Sequence, residues 1–238
     1  YYREQIVSRM IAILRKAVKV FHGMGKVKFF IAFIGVLFIL VFAFAIESVQ
    51  DYLAHEYDTF NQVIEFFVYR SFGHEWQWLF FAVGKLTLLV GIMSLFILTI
   101  LWIGFHGKDK HLEYTFAFVA TVGAVALQLV LARLFANSPV MDNLYLTSRI
   151  PFPGKEGLLS ISAIGFLTFM TIRHSGKLFS KALKVLFAAV LIALCGVAGI
   201  YNGTVEPSSL IAGLEIGGAW LFLNIILLEV FRALPKVQ

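Results

Sequence analysis

The sequence predicts an all-α, polytopic membrane protein, and three observations predict it. Of 238 residues, 60% are hydrophobic and 14% charged, with a mean hydropathy of +0.85. Soluble domains carry about 25% charged and about 45–50% apolar residues, so no soluble core would hold this excess. The apolar residues fall in runs near the roughly 20 residues that carry a helix across a hydrocarbon core. No strand-like alternation suggests a barrel, and helices satisfy their backbone groups within each segment.

The elements follow in order. Residues 1–28 hold seven Lys and Arg among apolar positions three and four apart. This describes a basic amphipathic helix lying on an anionic surface, or a linker from an upstream domain. The chain opens on Tyr1, and such an upstream domain is an expectation of this reading. Six spans are expected, at 29–48, 77–104, 114–136, 157–173, 182–201 and 208–231. They make a membrane domain of residues 29–231, followed by a tail over 232–238. Residues 49–75 repeat the helical spacing with an acidic bias and are expected to lie on the opposite membrane face.

Lys and Arg assign that face. Fifteen fall on the side of the two termini and three, Arg70, Arg149 and Lys155, on the other. The bias predicts a cell-membrane protein with both termini cytoplasmic. It also accounts for the pI near 9.4 without nucleic acid, because the basic residues flank apolar runs. Cys195 alone, inside an apolar run, leaves no disulfide framework or cysteine metal site. There is no glycine-rich phosphate loop, dinucleotide fingerprint or paired-histidine zinc motif, so no cofactor or metal is expected.

Within this topology some local stretches stand out. They are Asp58-Thr-Phe-Asn-Gln-Val before the second span, Gly84-Lys-Leu-Thr, and the run Gly199-Ile-Tyr-Asn-Gly-Thr-Val-Glu-Pro-Ser-Ser-Leu-Ile-Ala-Gly213. With six spans and an outward loop between the third and fourth, they resemble the type 2 phosphatidic acid phosphatase family over about residues 29–231. The resemblance implies a six-helix lipid phosphatase fold. It also implies a phosphohistidine mechanism, with a histidine nucleophile, a second histidine as acid–base, an aspartate, and Lys and Arg around the phosphoryl oxygens.

Every reactive position of the family's three motifs is replaced here. Leu131 or Ala132 stands for the lysine, and Ser138 and Gly199 for the two arginines. Glu156 stands for the acid–base histidine, Val205 for the nucleophile and Ser209 for its aspartate. Valine cannot attack phosphorus, so the resemblance implies a degenerate member with no catalytic residues at the family's site. Arg133, Arg149, Lys155 and Glu156 are then candidates for a residual lipid-phosphate site, against the plainer reading of Lys155-Glu156 as a solvated pair at a helix start. Ser208 or Ser209 is expected to cap the last helix.

Charged residues inside spans carry weight, because hydrocarbon penalises them unless they are paired. Lys85 and Glu215 both fall about 12–13 Å below the outward surface and are expected to pair or share a polar cavity. Glu229 and Arg232 are expected to pair at the cytoplasmic end. Gly213, Gly217 and Gly218 place small residues on nearly one face of the sixth span, which suits close helix packing.

Three functional readings follow. The first is an inactive phosphatase-like protein that binds an isoprenoid or glycerolipid phosphate, or serves as scaffold for an upstream domain or partner membrane subunit. The second is a lipid phosphate or undecaprenyl diphosphate hydrolase using other residues, with Glu156, Glu206, His74 and Arg149 within reach of the outer face. The third is a lipid or ion transporter with Lys85, Arg133 and Glu215 along its path.

Overall fold

The computed structural model describes residues 25–54, 56–107, 109–136 and 152–233. Arg149, Ser138, the basic segment to residue 24 and the tail from residue 234 lie outside the described residues. Among the described residues there are eight α-helices and no strand. They are α1 (Lys26–Leu53), α2 (Asp58–Ser71), α3 (Gln77–Gly84), α4 (Leu89–His106), α5 (Lys110–Ala136), α6 (Lys155–Arg173), α7 (Leu178–Tyr201) and α8 (Pro207–Ala233). Six of them, α1 and α4 to α8, are long and apolar enough to span a bilayer, and the chain is a multi-pass membrane protein.

Helices α6 and α8 form the centre. Helix α6 packs on α4, α5, α7 and α8, while α1 leans mainly on α8 and shows most of its surface outward. Glycine makes the central contact possible. A Cβ on Gly157 would lie 2.5 Å from the Leu210 carbonyl oxygen, and one on Gly217 2.6 Å from that of Leu158. A Cβ on Gly213 would run into the Gly154 carbonyl. Without a hydrophobic drive between helices in lipid, such backbone approach supplies the packing. Gly218 turns instead toward Val41 and Ile161.

Two boundaries differ from the sequence expectation. Helix α1 runs on to Leu53, so the acidic amphipathic element is the 14-residue α2. The span expected over 77–104 is broken. Helix α3 ends at Gly84, a 3-10 turn covers Lys85–Thr87, and Leu88 is extended with φ −74° and ψ 159° before α4 begins. The Thr87 hydroxyl donates to the Gly84 carbonyl at 2.9 Å, offering the backbone a partner outside the helix ladder. Hydropathy alone cannot register this break, because the residues on both sides are equally apolar.

The ends of the bundle differ in chemistry. The end where α1 starts and α8 finishes, here the basic end, is tied by ion pairs. Arg232 Nε donates to Asp109 Oδ2 at 3.1 Å and its Nη2 to Glu113 Oε1 at 2.6 Å. Arg173 pairs with Glu229. The expected Glu229–Arg232 pair is therefore replaced. Glu113 is fully buried, and a desolvated carboxylate needs the guanidinium more than Glu229 does.

Candidate functional site

The far end gathers the positions singled out by the motif frame. Helix α7 ends in a turn that only glycine fits easily, with Gly203 at φ +64°. Its N–H bonds to the Ile200 carbonyl at 3.0 Å, and that of Thr204 reaches back to Gly199 at 2.9 Å, which together close the helix terminus. This turn carries Val205 inward. Helix α8 then starts on Pro207, whose missing N–H costs nothing in a first turn.

Glu156, in the first turn of α6, is 3% exposed. Its Oε1 accepts from the Thr204 hydroxyl at 2.8 Å and lies 3.9 Å from Lys155 Nζ, while Oε2 is buried with no partner. Gly199 lies directly behind it. A Cβ on Gly199 would be 2.9 Å from Glu156 Cγ and 2.7 Å from Val205 Cγ1. On the other side of Val205, a Cβ on Gly154 would be 2.6 Å from its Cγ2, and the Gly154 N–H donates to the Ser209 carbonyl at 2.8 Å. Glu156, Gly199, Val205 and Ser209, far apart in sequence, thus converge on one spot.

That spot is filled rather than hollow. Val205 is 2% exposed and packs in an apolar cluster with Val68 and Ile200, flanked by Ile64 and Leu210. Helix α2 roofs it. The Tyr69 hydroxyl donates to the Ile200 carbonyl at 3.3 Å, and Asn61 Oδ1 accepts the Ser208 N–H at 2.9 Å. The cap of α8 therefore comes from Asn61 on another helix, while the Ser208 hydroxyl is buried with no partner. Ser208 and Ser209 lie one and two residues inside the helix, past the position from which a serine caps.

The remaining candidates are dispersed. Arg133 is exposed near the end of α5. Two residues earlier Leu131 packs against the core, and two residues of helix turn the side chain about 200° to the opposite face. Lys85 and Glu215 form no ion pair. The Lys85 ammonium sits 4.4 Å from the centre of the Phe81 ring on an exposed side chain. Glu215 faces α1, with the Ser48 hydroxyl as hydrogen-bonding neighbour and Glu47 as a like charge.

Nearby on α1, Asp51 Oδ2 accepts from the Tyr57 hydroxyl at 3.2 Å, and burial pushes the Tyr57 phenol above its ordinary range. His74 lines a separate far-end cavity of about 490 Å³ with Tyr69, Tyr201 and Asn202, and Glu156 is not part of it. Among the described residues no cluster of His, Cys, Asp and Glu is arranged to hold a metal. Compared with protein-family models, with characterised proteins and with solved structures, the chain has no match.

Proposed function

We propose that this chain is a catalytically inactive, lipid-phosphatase-like membrane protein that works as a lipid-binding scaffold, with its basic end in the cytoplasm. The reading is supported by one observation: four of the replaced motif positions, Glu156, Gly199, Val205 and Ser209, meet at a single spot, and that spot is sealed. An apolar side chain occupies the place of the nucleophile, a buried carboxylate that of the acid–base group, and a glycine without room for a side chain that of an arginine. A carboxylate facing an incoming phosphate repels it, and neither valine nor glycine can share its charge.

The hydrolase alternative needs His74 and Glu156 at one reaction centre, and they line different parts of the far end. The transport alternative needs a shared path for Lys85, Arg133 and Glu215. Two of these are exposed side chains and the third faces α1.

The test is phosphate release by detergent-purified chain from undecaprenyl diphosphate, undecaprenyl phosphate and phosphatidic acid, beside an active lipid phosphatase as control. Release no higher than an empty-vector preparation is expected, and Glu156→Gln leaves that background unchanged. Robust release abolished by Glu156→Gln would overturn the proposal.

A further inference from the structure

The bundle leaves a lateral gap between α1 and α7. Helix α1 packs on α8 and α7 packs on α6, so the two outer helices stand apart above a floor made by α6 and α8. The gap is a trough of about 780 Å³, with Phe33 on one wall, Val185 on the other, and Gly165 and Leu221 in its floor. Along α6 it reaches from Ile161 to Arg173, twelve residue steps. That is about 18 Å of axial rise, against about 15 Å for half a hydrocarbon core. The trough is thus about as deep as one leaflet, and a spanning helix would need about twice that length.

Its mouth at the basic end changes character. Arg173, Lys181 and Glu229 line it there. Arg173 and Glu229 also line a second cavity of about 820 Å³ that adds Lys28, His174, Asp109 and Arg232. The apolar trough and the polar cavity therefore share a rim. The carboxylates at this rim already have guanidinium partners, Glu229 in Arg173 and Asp109 in Arg232. Lys28 and Lys181 form no ion pair among the described residues. Arg232 keeps Nη1 buried and unpartnered although its side chain is only 10% exposed. The other guanidinium N–H groups already serve both Asp109 and Glu113, so the unpaired positive charge at the rim is that of Lys28 and Lys181.

We propose that this gap binds an anionic glycerophospholipid from the leaflet at the basic end. An acyl chain fills the trough, and the phosphate sits at the shared rim with Lys28 and Lys181. The charge at the rim, the polar cavity joined to the apolar one and the single-leaflet depth carry the proposal, and none of them depends on the phosphatase-like reading.

The experiment is native mass spectrometry of the detergent-purified 238-residue chain titrated with palmitoyl-oleoyl phosphatidylglycerol or with the matching phosphatidylcholine. The wild type is expected to retain one phosphatidylglycerol several-fold better than phosphatidylcholine. Lys181→Gln reduces that preference about fivefold, and Lys181→Arg keeps it. Ala189→Phe, at an exposed trough position, lowers retention of both lipids about tenfold by filling the tail site. Equal retention of the two lipids by the wild type would overturn the proposal. So would retention untouched by Ala189→Phe, or a lipid-free dimer as the main species, which would put a second copy in the gap.

Discussion

Gly199 shows how a single residue decides what the far end can do. Its missing side chain is the space that Glu156 and Val205 occupy, so the arginine that the motif frame would put there has no room. Gly199→Arg is expected to lose folded, monodisperse protein on size-exclusion chromatography, while Lys155→Ala, half in solvent, keeps it. Arg232 is the counterpart at the basic end. Arg232→Ala strands the fully buried Glu113 and is expected to cost about 3–5 kcal/mol in detergent unfolding. Glu113→Gln in the same background should recover part of that loss, since an uncharged amide tolerates burial better than a lone carboxylate. Failure of that rescue would show that Arg232 acts through packing rather than charge.

The elements divide into those held by their own sequence and those held by neighbours. Helix α7 ends itself through Gly203, and Gly203→Ala is expected to lower stability by about 1–2 kcal/mol, read as a shift in the thermal midpoint. Helix α8 depends on α2 for its cap, so Asn61→Ala should cost about 1 kcal/mol although Asn61 lies 147 residues from Ser208. Burial raises the Glu65 carboxyl on α2 above its ordinary range. A group with a raised folded value binds its proton more tightly folded than unfolded, so stability rises as pH falls through that range. Glu65→Gln should flatten this part of the pH–stability profile. A profile unchanged by the substitution would place the titration elsewhere.

At the scale of the whole molecule, the two ends carry different chemistry on one scaffold. At the far end the motif-frame positions form a closed, roofed cluster beside the separate His74 cavity, and the basic end is an open apolar trough joined to a polar cavity. Interaction with lipid is therefore expected at the end opposite the motif frame. Much of this architecture was legible along the chain. The number of spans follows from hydropathy, because each helix in lipid must be apolar over its own length. The glycine face of the last span was legible for a similar reason, since helical spacing alone puts Gly213 and Gly217 on one stripe.

Partners chosen through space were not legible. The interruption at Lys85–Leu88, the pairing of Arg232 with Asp109 and Glu113, and the distant cap from Asn61 each depend on which of several available groups the packed helices bring near. The sequence by itself determined a multi-pass helical bundle and a basic end, because composition and helical period are local properties. Only the tertiary structure decided that Glu156, Gly199, Val205 and Ser209 meet, that Val205 and α2 seal them, and that the gap lies between α1 and α7. The close approach of α6 and α8 in particular needs glycines on both helices acting together, which no single stretch of sequence reveals.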